Sequence, residues 1–141
     1  MNSIRRKMKN FLLLSVCTLC LFLTGCTVNA DEDPKLRDLD FTVLSEEMIP
    51  AELKEMIAPK QKEAFAFSYS DGENLYLCIG YGEQKTGGYS IAVNDLYLTE
   101  QNILVNTSLL GPSGDEVTSD SPSYPYIVLK TENLDKEVIF E

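Results

Sequence analysis

The chain has 141 residues, 12 of them basic against 22 acidic, and its net charge of −10 makes nucleic acid and other phosphate surfaces poor partners. It contains no histidine, which excludes Ser-His-Asp and Cys-His nucleophilic sites and histidine-ligated zinc. A chain of this length supports one domain with a modest core.

Arg5, Arg6, Lys7 and Lys9 precede an apolar run from Phe11 to Phe22. That run is about a dozen residues, whereas a spanning helix needs roughly 20. A positive start, a short apolar centre and small residues before a cleavage point describe a secretory signal. Leu23-Thr24-Gly25-Cys26 resembles the bacterial lipobox. The resemblance implies cleavage between Gly25 and Cys26, a diacylglycerol on the Cys26 sulfur, and an acyl chain such as palmitate on the new amino terminus. An ordinary signal peptide followed by a chance cysteine is the alternative. The expected organisation is a lipoprotein signal peptide over 1–25, then a mature chain lipid-anchored at Cys26 on the extracytoplasmic face of the cell membrane. Each buried acyl methylene contributes about 0.8 kcal/mol, so two or more chains hold a protein on the bilayer. Losing residues 1–25 removes four basic residues and no acidic one, leaving eight against 22 and a net charge of −14.

Residues 26–40 turn small and charged, with Asp31, Glu32, Asp33, Pro34, Asp38 and Asp40, and read as an acidic tether. Extended, it reaches at most about 50 Å. The folded domain is expected over 41–141. Phe41 to Leu44 is a short strand candidate, and Ser45 with Glu46 and Glu47 a potential helix cap. Pro50 suits a first helical turn, so one helix is expected from Pro50 to Ala58, with Leu53, Met56 and Ile57 as its apolar stripe and Pro59 as its end.

Beyond Pro59 the period becomes two. Phe65, Phe67 and Tyr69 alternate with small residues, Asp71-Gly72 makes a hairpin turn, and Leu75, Leu77, Ile79 and Tyr81 alternate on the return. The third strand of this series carries Tyr89, Ile91 and Val93 on one parity but Leu96 and Leu98 on the other, so an extra residue, a bulge, is expected near Asn94-Asp95. Thr99 to Gln101 turns the chain into a strand marked by Ile103, Val105 and Leu109. Gly111 to Tyr124, rich in Gly, Pro, Ser and Asp, is a long loop. Tyr126 to Leu129 and Val138 to Phe140 complete the strands. The economical architecture is mainly β, an α+β arrangement with one antiparallel sheet curled or folded into a small sandwich and one short helix packed on it. Cys17 and Cys20 leave with the signal and Cys26 is lipidated, so Cys78 stands alone, expected as a buried, inert thiol.

The run Ile79-Gly80-Tyr81-Gly82-Glu83-Gln84-Lys85-Thr86-Gly87-Gly88-Tyr89-Ser90-Ile91 and the later run Ser121-Pro122-Ser123-Tyr124-Pro125-Tyr126-Ile127-Val128-Leu129-Lys130 resemble the C-terminal domain of the PrcB family. In that family a glycine-glutamate step, a Thr-Gly-Gly-Tyr turn and a late proline-tyrosine strand recur with similar spacing. The likeness covers Leu75 to Thr131, and the helix containing Leu53 sits where the family has one. PrcB-type proteins are named as lipoprotein subunits of a surface-protease complex, so the resemblance implies an accessory, non-catalytic, partner-binding role.

The residues support a physical reading of their own. Gly87-Gly88 can take positive φ and lets another backbone approach closely. Thr86 and Tyr89 then flank a shaped loop, and Tyr124 and Tyr126, bracketing Pro125, extend an aromatic surface beside it. The plainer reading stays open: the glycines merely turn one strand into the next, Tyr89 packs inside, and Tyr124 and Tyr126 lead into a strand. A partner-binding module docking an exported protein, with a protease as one such partner, is the first functional expectation. A protease inhibitor presenting the Thr86–Tyr89 loop is the alternative, since that loop resembles the Thr-Thr-Gly-Tyr loop of chagasin-type inhibitors. The chain departs from that pattern in its second glycine and in lacking tryptophan. An enzyme would have to rely on paired carboxylates, and the acids fall mainly in the tether, turns and helix surface, so none is expected. Asp71-Gly72-Glu73-Asn74 lacks the spaced ligands of an EF-hand loop. No metal and no cofactor are expected.

Overall fold

In the computed structural model, the described residues are 33–114 and 119–141. The expected signal peptide, the Gly25–Cys26 cleavage point, the lipidated Cys26 and the first part of the tether lie outside them. Eight strands are described: β1 (Arg37–Asp38), β2 (Phe41–Val43), β3 (Ala64–Ser70), β4 (Asn74–Tyr81), β5 (Ser90–Leu98), β6 (Asn102–Leu110), β7 (Tyr126–Glu132) and β8 (Glu137–Phe140). One α-helix, α1 (Ala51–Ile57), follows β2. The first sheet has the order β1-β5-β6-β8 and the second β2-β7-β4-β3.

The layering follows from side-chain alternation. Leu75, Leu77 and Ile79 of β4 pack with Leu129 of β7 against Leu96, Ile103 and Val105 of the first sheet, the core between the sheets. Tyr76 and Cys78 point the other way and meet Leu53 and Ile57 of α1, together with Val128, Leu44 and Ile49. With both faces covered, β4 is buried without a break from Leu75 to Gly80. Each aliphatic side chain so buried contributes about 1.5–3 kcal/mol. The helix is short because prolines bracket it: Pro50 precedes its first residue, and Pro59 lies in the 3-10 turn Ala58–Lys60 that ends it.

The β3–β4 hairpin, turning at Asp71-Gly72, has the expected register, from Ser70↔Leu75 to Ala64↔Tyr81. Gly72 has φ +97°, which favours glycine. The ladder between β5 and β6 shifts between Val93 and Asp95, where the change of apolar parity requires a bulge. Gly80 is needed for packing, since a Cβ there would run into the Phe65 ring.

Four details differ from the sequence-based expectations. The folded body begins at Asp33: Arg37 and Asp38 pair with Leu98 and Tyr97, and Leu39 is buried between the sheets, so residues 33–40 are bound to the body instead of serving as free tether. Met56 is 38% exposed, because in a helix of one face only Leu53 and Ile57 reach the sheet. Ser45 stands at the N-cap of a single 3-10 turn, Glu46–Met48, and not of an α-helix, and its hydroxyl donates to Glu47 Oε2 at 3.2 Å instead of accepting from a backbone N–H. Strand β8 runs parallel to β6, since β7 ends at the same end of the sandwich where β6 begins.

Strand direction gives the sandwich two poles. At one, the turn pole, lie the short turns 71–74, 99–102 and 133–136 and the start of the body, where Asp33 Oδ2 accepts the Gln101 N–H at 2.9 Å. At the other, the loop pole, lie the two long connections 82–89 and 111–125. The nine residues of β5 separate them, roughly 30 Å at about 3.3 Å per residue.

Candidate functional site

The two long connections at the loop pole are held to each other. Gln84 and Ser123 form an antiparallel bridge, with Gln84 N–H donating to Ser123 O at 2.8 Å and Ser123 N–H returning to Gln84 O at 3.0 Å. The Ser123 hydroxyl donates to Thr86 O at 2.6 Å. The Gly87 N–H donates to Ser119 O at 3.0 Å, and the Tyr124 hydroxyl to Glu83 Oε2 at 2.8 Å. The amide of Gln84 reaches back to Tyr81 O at 3.0 Å, fixing the start of the loop on β4.

Glycine makes this shape attainable. Gly82 has φ +71°, and a Cβ on it would stand 3.0 Å from the Ala64 backbone nitrogen; Gly88 has φ +84°. Both are turn positions where an L side chain is strained. Gly111 lies against Tyr89, where a Cβ would sit 3.6 Å from the ring.

The structure brings Thr86, Gly87, Tyr124 and Pro125 into one paired loop, and Gly88 and Tyr89 lead out of it into β5. Gly88 is exposed, while Thr86, Gly87, Tyr89, Tyr124 and Pro125 are half-buried, so the loop is a surface feature with its flanks packed. Sequence reasoning missed Glu83, Gln84, Ser119 and Ser123, the residues that join the two loops. Gln84 and Ser119 join the loops through backbone groups, which any residue supplies, whereas Glu83 and Ser123 also use side chains; Glu83, Gln84 and Ser123 stand within the two runs that carry the PrcB resemblance. Residues 115–118 are outside the described set.

The electrostatics are mild. Bonding to the Glu83 carboxylate raises Tyr124 above the ordinary phenol value, with a lesser contribution from desolvation. Cys78 sits fully buried in β4, and desolvation pushes its thiol up to about 12, so it stays protonated and unreactive at neutral pH. Among the described residues, no group of three His, Cys, Asp or Glu side chains could hold a metal ion. This pole can offer shaped backbone, hydroxyls and tyrosine rings to another surface.

Fold and loops together define a small β-sandwich domain, backed by a helix, that presents a paired loop at one end. Residues 75–132 match the family model described as PrcB C-terminal. The match runs from β4 through β7 and takes in both long loops, so the PrcB likeness read from the sequence holds for the segment that carries the candidate site. Comparison with curated proteins and with solved structures found no match.

Proposed function

We propose that this protein is a membrane-anchored extracytoplasmic lipoprotein that acts as a non-catalytic accessory subunit, holding a protein partner, an exported protease among the candidates, through its paired loop. The observation that carries the reading is the polarity of the body. The chain comes into it at Asp33 on the turn pole, and the loop with Thr86–Tyr89, Tyr124 and Pro125 lies at the far pole. An acyl anchor on Cys26 would therefore leave the loop facing away from the bilayer, where a large partner has room. The PrcB C-terminal match supports an accessory role for the segment containing the loop. A net charge of −14 on the mature chain favours a partner with a basic or neutral docking face.

The test is crosslinking in intact cells followed by recovery from membranes, comparing the natural chain with one in which Thr86, Gly87, Gly88 and Tyr89 are alanine. The expected result is loss of the crosslinked protein partner, with the variant still folded. Unchanged recovery would remove the loop from this role. Metabolic labelling with a fatty-acid analogue should mark the natural chain and not Cys26→Ser, and an unlabelled natural chain would contradict the anchor.

A further inference from the structure

We propose that the outer edge of β3 accepts an extended segment of a partner polypeptide as an added strand, and that this segment alternates apolar residues and carries basic residues at its ends. The surface is distinct from the paired loop.

Strand β3 is the end strand of the second sheet, and its register with β4 is unbroken over Ala64–Ser70. The Asp71 N–H donates to Asn74 O at 3.2 Å, making that pair a hydrogen-bonded one. Pairs alternate in an antiparallel ladder, so Tyr69, Phe67 and Phe65 turn their peptide groups toward β4, and Ala64, Ala66, Ser68 and Ser70 turn theirs outward. Tyr81, opposite Ala64, agrees with this phase, because its N–H is directed away from β3 to Pro125 O at 3.0 Å. No described strand pairs with that outward row.

Natural sheets blunt such edges with short strands, charge, proline or bulges. The other three edges follow this rule by length: β1 has two residues, β2 three and β8 four. The edge β3 has seven residues, Ala-Phe-Ala-Phe-Ser-Tyr-Ser, with none of these devices. Its aromatic rings are committed to the α1 side of the sheet. The opposite side carries only alanines and serines, which are exposed. Beside them a groove of about 450 Å³ opens between the sheets, lined by Ala64, Ala66, Ile79, Tyr81, Val105 and Phe140 among others. An added strand would complete its hydrogen bonds on the outward row and drop alternate side chains into this apolar space.

Charge selects the occupant. Glu141 also lines the groove, Asp71 and Glu73 lie beyond one end of β3, and Lys62 and Glu63 flank the other. A second copy of the chain brings its own net charge of −10 and is opposed. A segment with lysine or arginine at its ends is favoured. The groove also adjoins the loop pole, since the Glu83 N–H donates to Lys62 O at 3.2 Å, so one partner could cover both surfaces.

The experiment uses the full chain in detergent and fluorescent nonapeptides that alternate valine and threonine between terminal lysines. Controls are the same peptide with a central proline and one with terminal glutamates. Ala66→Pro removes only an outward N–H and suits an edge strand, and Ser68→Lys places a charge on the edge. Expected are binding of the lysine-ended peptide with slowed exchange of the outward Ala66 and Ser68 amides, and at least about tenfold weaker binding to either variant and by either control. Gly88→Ala should bind the peptide unchanged, which keeps this result separate from the loop's role. If Ala66→Pro fails to fold, Ser68→Lys decides. Failure of the lysine-ended peptide to bind, equal binding by Ser68→Lys, or equal binding of the glutamate-ended peptide would overturn the proposal. So would slow exchange of the outward Ala66 and Ser68 amides in the free chain, or a dimer lost in Ser68→Lys, because either means this protein already fills the edge.

Discussion

At the turn pole a fully buried threonine clasps a four-residue turn: Thr99 N–H and the Thr99 hydroxyl both donate to Asn102 O, at 2.9 and 3.0 Å, and Asn102 N–H donates to Thr99 Oγ1 at 2.8 Å. At the loop pole two long connections lean on one another through bonds that are exposed or only half-buried. The first arrangement closes the fold, and its polar groups are expensive to orphan. The second stays near the surface and can change without unmaking the core. Stability and recognition are thereby assigned to opposite ends of one sandwich.

Mutations should separate the poles. The largest effect is expected from Thr99→Val, which keeps the shape of a fully buried side chain, removes its hydroxyl and leaves the half-buried Asn102 N–H without its partner. That should cost about 1–2 kcal/mol in urea unfolding, with partner recovery at the loop pole retained. A loss of recovery at full stability would break the division. Gly88→Ala comes next: at φ +84° an alanine is strained by about 1–2 kcal/mol, part of which the exposed loop can relieve by shifting. Its unfolding free energy should fall by about 1 kcal/mol or less, while partner recovery drops. Smaller still is Ser123→Ala, which deletes the 2.6 Å bond to Thr86 O and should cost about 0.5–1 kcal/mol. The measurement is amide exchange, faster over 84–89 and unchanged over 99–102.

The difference between the poles also governs what could be read in advance. Local chemistry marked the β3–β4 hairpin through Asp71-Gly72, the bulge through the parity change after Val93, and α1 through Leu53 and Ile57 between two prolines. Thr86, Gly87, Gly88 and Tyr89 stood out because glycine pairs in a turn are a backbone requirement. Illegible were the contacts that cross the sandwich. Leu39 lies in a stretch that is otherwise exposed and acidic, and only the packed structure shows that it is buried. The Gln84–Ser123 bridge is a backbone pairing between distant segments, to which side-chain pattern is indifferent. The parallel placement of β8 follows from where β7 ends, a fact of topology with no signature in Glu137–Phe140.

The smallest expected effect is a difference in pH response. Asp33 is held below its ordinary 3.8, first by the Thr99 hydroxyl and further by the Gln101 and Glu100 amides and the Lys136 charge. Its contribution to the turn pole is therefore complete above the unfolded value and is lost as pH falls through the lower folded one. Tyr124 is raised above 10.0 by the Glu83 carboxylate, so its bond is intact below the unfolded phenol value and is lost as pH climbs through the raised one. Acid should loosen the turn pole and alkali the loop pole. The Gln101 amide resonance should titrate with a midpoint below 3.8 and lose that transition in Asp33→Asn. The phenolate absorbance difference between the natural chain and Tyr124→Phe should show a midpoint above 10.0. Both groups are half-buried at the surface and screened by solvent, so the shifts should leave the melting temperature near neutral pH almost unchanged. A Gln101 transition at or above 3.8 would mean that Asp33 is not clasped, and the polarity on which the loop's outward presentation depends would lose its fixed end.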